Sequence, residues 1–329
     1  MYISPRRQYQ GQVLSGETQA SFFRVDSLLP DARMMVKIAY NETMPFVYLV
    51  YRNDNGSEQV VIRVLNLTNG EMQRWRVVAT PGSLCDFAGG TGANHFYVPL
   101  LCKYRQTETL VLLDPVAGTS RNYVLENWCT DSNNLVVRFR GIDWLADDRV
   151  WVFCQGRDYF TMSGCMLSLQ TGDLMCVRDI GAVRAVSPID NTVIAVGQGS
   201  QAGEYYYYVT EADCIIDESR CLEMVKIARI NGSTEQFTWS NDGATIGYSS
   251  SESSDNINFY TTLALVDPRD GSIQLITQGL RGTHSVDDFS PDDQWVTLWG
   301  FPIMSWVSLE TGELFQLADS HFIGWLVNP

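Results

Sequence analysis

The sequence predicts an all-β chain, a closed β-propeller of four-stranded antiparallel blades. Three observations predict it. A Gly-containing turn between two β-like runs recurs along the chain. A polar turn between apolar runs precedes most copies, and no segment sustains a helical period.

The Gly turn is met at Gly70, Gly118, Gly172, Gly232, Gly271 and Gly312, with spacings of 48, 54, 60, 39 and 41 residues. Glycine suits it because a tight hairpin turn demands a positive φ. The polar turn is clearest at Ser240-Asn241-Asp242-Gly243 and Ser290-Pro291-Asp292-Asp293, and looser at Ala146-Asp147-Asp148 and Ser187-Pro188-Ile189-Asp190. Ser and Asp serve there because their side chains bond nearby backbone amides. Each repeat therefore reads strand, polar turn, strand, loop, strand, Gly turn, strand, which is a propeller blade.

Six such blades fill residues 34–320 of one domain spanning 1–329. The leftover segments, 1–33 and 321–329, together match one more blade, so seven blades are expected, with six as the alternative. Pairing of the amino- and carboxyl-terminal segments, Met1–Ser4 and Gln12–Val25 with Phe322–Val327, would close the ring and remove open sheet edges.

These turns resemble those of the TolB-type, WD-repeat-like propeller family, whose blades carry a W-S-P-D-G-like turn and a later D-x-x-T-G-like turn. The resemblance runs from about Val36 to the carboxyl terminus, with departures: Asp293 stands where the pattern has glycine, and Leu84–Gly90 barely matches. It implies the fold and a cell-envelope or extracytoplasmic setting.

Charge excludes some partners. With 23 Lys and Arg against 38 Asp and Glu, the net charge is −15, so phosphate backbones and anionic membranes are repelled. No nucleic-acid partner and no membrane insertion is expected. The segment Met1–Arg7 lacks the apolar core of a signal peptide.

Several motifs bear on chemistry. Gly197-Gln198-Gly199-Ser200-Gln201-Ala202 fits a loose dinucleotide fingerprint, but the strand-like Tyr205–Val209 follows where a helix is required. A loop between strands is expected. No G-x-S-x-G elbow occurs, and His95, His284 and His321 are scattered through the repeats as structural residues. The pairs Asp147-Asp148, Asp287-Asp288 and Asp292-Asp293 are oxygen ligands of the kind calcium takes, yet turn capping accounts for them. No cofactor is expected, calcium being the one conceivable ion.

The long fourth repeat, with an insertion at 198–226, is the most unusual segment. In a strand, Tyr205 and Tyr207 point one way and Tyr206 and Tyr208 the other, so one pair packs between blades while the other offers a contact surface. Asp213, Asp217 and Glu218 add an acidic loop bracketed by Cys214 and Cys221. The eight cysteines leave two readings open, buried thiols or disulfides, the candidate pairs being Cys214 with Cys221 and Cys154 with Cys165.

The functional expectation is a non-enzymatic interaction scaffold that binds a protein partner or an extracellular polymer through a propeller face and inserted loops. The alternative is a propeller hydrolase or lyase with a polar or metal centre at the channel mouth. A carbohydrate-binding propeller is third. Oligomeric state is not legible.

Overall fold

The computed structural model describes residues 2–3, 37–40, 46–52, 60–66, 72–77, 84–88, 97–104, 107–114, 119–125, 138–155, 162–177, 183–198, 204–217, 224–230, 234–253, 259–290, 292–300, 303–318 and 321–322. The chain forms two compact units: Met1–Glu126 with Pro302–Met304 and Leu317–Pro329, and Asn127–Phe301 with Ser305–Gln316.

In the first unit β1 (Tyr2–Ile3) pairs antiparallel with β26 (His321–Phe322), Tyr2 opposite Phe322. Two four-stranded sheets follow. The first holds β2 (Lys37–Tyr40), β3 (Phe46–Arg52), β4 (Val60–Asn66) and β5 (Met72–Val77). The second holds β6 (Leu84–Phe87), β7 (Val98–Tyr104), β8 (Thr107–Asp114) and β9 (Thr119–Val124).

The third sheet, β10 (Arg138–Trp144), β11 (Arg149–Gln155), β12 (Met162–Ser168) and β13 (Leu174–Val177), opens the second unit. The fourth holds β14 (Val183–Val186), β15 (Thr192–Gln198), β16 (Tyr205–Glu211) and β17 (Val225–Arg229), with the short helix α1 (Ala212–Ile216) after β16. The fifth is β18 (Thr234–Trp239), β19 (Ile246–Ser253), β20 (Phe259–Val266) and β21 (Ile273–Arg281). The sixth is β22 (His284–Phe289), β23 (Trp295–Gly300), β24 (Ile303–Ser308) and β25 (Leu314–Ala318). Every four-stranded sheet keeps its strands in chain order, the up-and-down meander that the repeat demands.

The described residues thus hold six four-stranded sheets and the terminal pair, against the expected seven blades. The hairpin expected over Gln12–Val25 lies outside the described residues.

Successive sheets of the second unit stack through apolar layers. Leu145, Trp151 and Met166 of the third meet Val183, Val193 and Ala195 of the fourth. Tyr207, Val209 and Ile227 of the fourth meet Phe237, Trp239 and Ile246 of the fifth. Leu263 of the fifth meets Val286, Phe289, Val296 and Leu298 of the sixth. Burying each such side chain stabilises the stack by about 1.5–3 kcal/mol.

Both repeated turns sit at one end of these sheets, except that Gly232 falls on the link between the fourth and fifth sheets, and the turn side chains explain why the strands stop there. The Ser240 hydroxyl donates to Asp242 Oδ1 (2.7 Å) and accepts from the Thr245 N–H (2.9 Å). Ser290 repeats this with Asp292 (2.5 Å) and the Trp295 N–H (2.9 Å). In the Gly turns, Gly172, Gly271 and Gly312 have φ of 76°, 74° and 70°, and each N–H donates 2.9 Å to the carbonyl four residues earlier. The turns also bond across sheets. Asn191 Oδ1 accepts from the Ala146 N–H (3.0 Å), and the Asp293 carboxylate accepts from the Asn241 N–H and Nδ2, both at 2.8 Å.

The cysteines resolve one open reading. Among the described residues no cysteine is free, and Cys102, Cys154 and Cys214 are disulfide-bonded. Cys165 bonds Cys176, not Cys154. Register decides this: Cys165 lies directly opposite Cys176 on β13, with Cα atoms 4.0 Å apart, whereas on β11 it faces Val152 and Cys154 faces Ser163.

Candidate functional site

The insertion expected to project at 198–226 is in part ordinary sheet. Tyr205–Glu211 is the third strand of its sheet, paired with β15 on one side and β17 on the other. β-rich tyrosines bonded on both edges leave no free excursion over this stretch. The loose dinucleotide motif ends β15 at Gln198, and a strand follows it at Tyr205.

The four tyrosines separate by face, with burial graded along the strand. Tyr207 is 3% exposed and Tyr205 49%. On the opposite face Tyr206 carries the Lys226 ammonium 3.2 Å from its ring centroid and meets Tyr208 edge to face at 6.4 Å. Tyr208 lies over Gly197, where any Cβ would come within 2.8 Å of the ring.

The acidic candidates lie elsewhere. Asp213, in the first turn of α1, is ion-paired with Arg149, which also holds Asp147 at 2.7 Å. These bonds keep the Arg149 guanidinium above its ordinary pKa, hydrogen bonding to Asp147 being the main cause. Asp213 therefore ties α1 to the third sheet. Asp217 is the C-cap of α1, its N–H donating to the Asp213 carbonyl (3.0 Å). Cys214 is buried; Glu218 and Cys221 lie outside the described residues.

The acidic pairs expected at turns divide similarly. Asp292 caps its turn by accepting from the Gln294 N–H (3.2 Å), and Asp148 accepts from Gln170 Nε2 (2.8 Å). Among the described residues, no group of three or more His, Cys, Asp or Glu side chains gathers as a metal site would require.

A different grouping forms where the fourth and fifth sheets meet, at the end opposite the turns. The links from Arg229 to Thr234 and from Arg281 to His284 are short, so consecutive sheets begin and end on this same side. We call it the loop end. Strand alternation orders three layers downward from it. In the outermost, Tyr205 lies on the wall of the fourth sheet. Across from it runs a row of directly paired residues, Glu252, Tyr260 and Arg281. Tyr260 is 41% exposed, and Glu252 and Arg281 are exposed beside it.

The second layer is buried and polar. The Tyr207 hydroxyl donates to Glu235 Oε2 (2.7 Å), and Tyr248 donates to Oε1 (3.5 Å). The Arg184 guanidinium lies 6.0 Å from the Tyr207 ring centroid. Burial raises both phenols, Tyr248 to about 12. In the third layer Phe237 meets Tyr207 edge to face (4.6 Å) and stacks on Tyr248 (5.0 Å).

Another polar layer lies between the fifth and sixth sheets at this end. Thr261 Oγ1 lies 2.7 Å from Ser251 Oγ, donates to the Gly282 carbonyl (2.9 Å) and accepts from the His284 N–H (2.9 Å). His284 is buried, and its Nε2 lies 3.0 Å from the Arg281 carbonyl.

Toward the turn end, Asp143 of β10 accepts a hydrogen bond from the Val186 N–H of β14. Burial nevertheless pushes its carboxyl up to about 7.

Sequence reasoning reached Tyr205 and Tyr207 but missed Glu235, Glu252, Tyr260 and Arg281. Two signals were present. Glu235 interrupts the inward alternation of Phe237 and Trp239, and Phe259-Tyr260 opens a strand, four residues separating it from the serine-rich 249–254 segment.

No protein-family model and no curated protein sequence matches the chain. Solved structures do match. The β-propeller domain of the trilobed protease from Pyrococcus furiosus is 10% identical, with 89% of this chain and 86% of that one covered, at a TM-score of 0.54. The fold is that of a β-propeller. An oligogalacturonate lyase from Vibrio parahaemolyticus matches at 10% identity, covering 86% of this chain and 79% of its own, with a TM-score of 0.56. TolB from Acinetobacter baumannii is 14% identical over 86% of this chain and 63% of that chain, at 0.49. The four-stranded sheets are the blades of this propeller.

Proposed function

We propose that this propeller is a non-catalytic binding module of an oxidising, extracytoplasmic compartment, engaging a protein or extracellular polymer at its loop end. One observation carries the reading. Tyr205, Phe259 and Tyr260 are 49%, 40% and 41% exposed at the loop end, directly above polar layers whose members already bond one another. Exposed aromatics on a hydrogen-bonded base suit recognition, because they offer apolar area at low entropic cost. The disulfide-bonded cysteines support the compartment, since thiols stay reduced in the cytosol.

Site-directed photocrosslinking tests the reading. A crosslinker at Tyr205 or Phe259 is expected to capture a partner on living cells. One at Ile189, exposed on a turn at the opposite end, is expected to capture none. Equal capture from both ends, or capture from Ile189 alone, overturns it.

Asp143 favours a second reading. A carboxyl near 7 can both take and give a proton at neutral pH, as the acid–base residue of a lyase or hydrolase must. With a fold similar to that of an oligogalacturonate lyase, oligogalacturonate is the first substrate to try. Appearance of unsaturated product, lost in Asp143→Asn, would favour this reading over the first.

A further inference from the structure

The mouth between the fourth and fifth blades has a chemistry narrower than a general contact surface. Its two walls each carry one exposed tyrosine, Tyr205 at 49% and Tyr260 at 41%. Tyr260 is flanked in register by a carboxylate on one side, Glu252, and a guanidinium on the other, Arg281. Beneath them, Glu235 is held by the hydroxyls of Tyr207 and Tyr248, with Arg184 near the Tyr207 ring. Two arginines thus match two glutamates. Among the described side chains just named the charges balance, in a chain whose net charge is −15.

A pyranose ring presents C–H groups on its faces and hydroxyls around its rim, each hydroxyl both donor and acceptor. The flat face of a tyrosine covers the C–H side, a guanidinium donates to one hydroxyl and a carboxylate accepts from another. The row Glu252, Tyr260, Arg281 places an acceptor, a ring and a donor side by side on one face. A large protein partner would instead call for a broad patch with an apolar centre. A polyanion would have to approach a strongly acidic molecule.

Resting on the binding-module reading above, we infer that this mouth is a saccharide site, taking an uncharged pyranose of a glycan chain between Tyr205 and Tyr260. Glu252 and Arg281 orient the hydroxyls, and the buried Tyr207–Glu235 pair fixes the floor.

Isothermal titration calorimetry on the full chain tests it. The probes are the neutral hexasaccharides of glucose, xylose, mannose and N-acetylglucosamine, with oligogalacturonate as the anionic comparator. At least one neutral probe is expected to bind. Tyr260→Ala and Tyr205→Ala are each expected to weaken it roughly ten-fold or more. Tyr260→Phe, which keeps the ring face, is expected to bind as the wild type does. Matching melting curves confirm that the variants are folded, since both positions are exposed. The inference falls if no neutral probe binds, if binding is indifferent to both alanine variants, or if oligogalacturonate binds more tightly than every neutral probe. It also falls, with the binding-module reading left standing, if the alanine variants lose only a protein captured by crosslinking. Loss of both readings would show as no saccharide binding together with no crosslink at the loop end.

Discussion

The two ends of the blades in the second unit are built on opposite plans. At the turn end, polar side chains are consumed by the backbone. Ser240 and Ser290 each cap their turn, and Asn241 and Asn191 bond the turn of a neighbouring blade. At the loop end the outermost residues, Tyr205, Phe259, Tyr260, Glu252 and Arg281, stand in solvent over layers whose hydroxyls bond one another and the backbone. A group spent on local structure is not available to a ligand. The comparison therefore assigns stability to one end and, on the reading proposed above, leaves recognition to the other.

The largest expected effect lies at the turn end. Gly271→Ala puts a Cβ 2.4 Å from the Lys226 carbonyl oxygen at a φ of 74°, so a loss of about 3 kcal/mol is expected in denaturant unfolding. Gly172→Ala has nearly the same φ, 76°, but meets nothing within 4 Å, and about 1 kcal/mol is expected. Equal losses would mean that backbone conformation alone sets the cost.

Next comes Ser290→Ala. The hydroxyl is fully buried and serves as donor and acceptor at once, so about 2 kcal/mol should be lost and the Trp295 N–H should exchange faster with solvent. Unchanged exchange would show that the turn holds without its serine.

Asp143 gives a pH-dependent test. Its folded pKa, about 7, lies above the usual carboxylate value of 3.8, so its contribution is full in acid and is lost as pH rises from about 4 through 7. Asp143→Asn keeps an acceptor for Val186 without the charge. It is expected to match the wild type near pH 4 and to exceed it by roughly 1–3 kcal/mol at pH 8. A melting-temperature difference that does not vary with pH overturns this.

The smallest effect on stability belongs to the loop end. Tyr260→Ala is expected to stay within about 0.5 kcal/mol of the wild type while abolishing most ligand binding. A large destabilisation would make Tyr260 a structural residue and erase the contrast between the ends.

The same contrast explains how much was legible in the sequence. The turn end repeats because Ser240 and Ser290 solve one local problem with nearby residues, and local solutions leave a motif. Blade order and the strand character of Tyr205–Val209 followed from it. The loop-end row did not, because Glu252, Tyr260 and Arg281 come from three strands and meet only through register. The candidate pair Cys154 with Cys165 fails for a similar reason. Both flank one loop, but a β-ladder sets direct partners residue by residue, and the partner across β13 is Cys176. Asp213 looked like a free acidic loop residue until Arg149, 64 positions earlier, was brought to it.

That cystine has a consequence for resistance to proteolysis. β13 is the fourth and last strand of its sheet, only four residues long, and the turn before it, Gln170 to Asp173, is exposed. A protease cutting that turn would ordinarily free a short edge strand to peel away. Here the cut lies between Cys165 and Cys176, so both fragments stay joined and in register until the bond is reduced. A nicked molecule should therefore run as one chain on a non-reducing gel and as two after reductant.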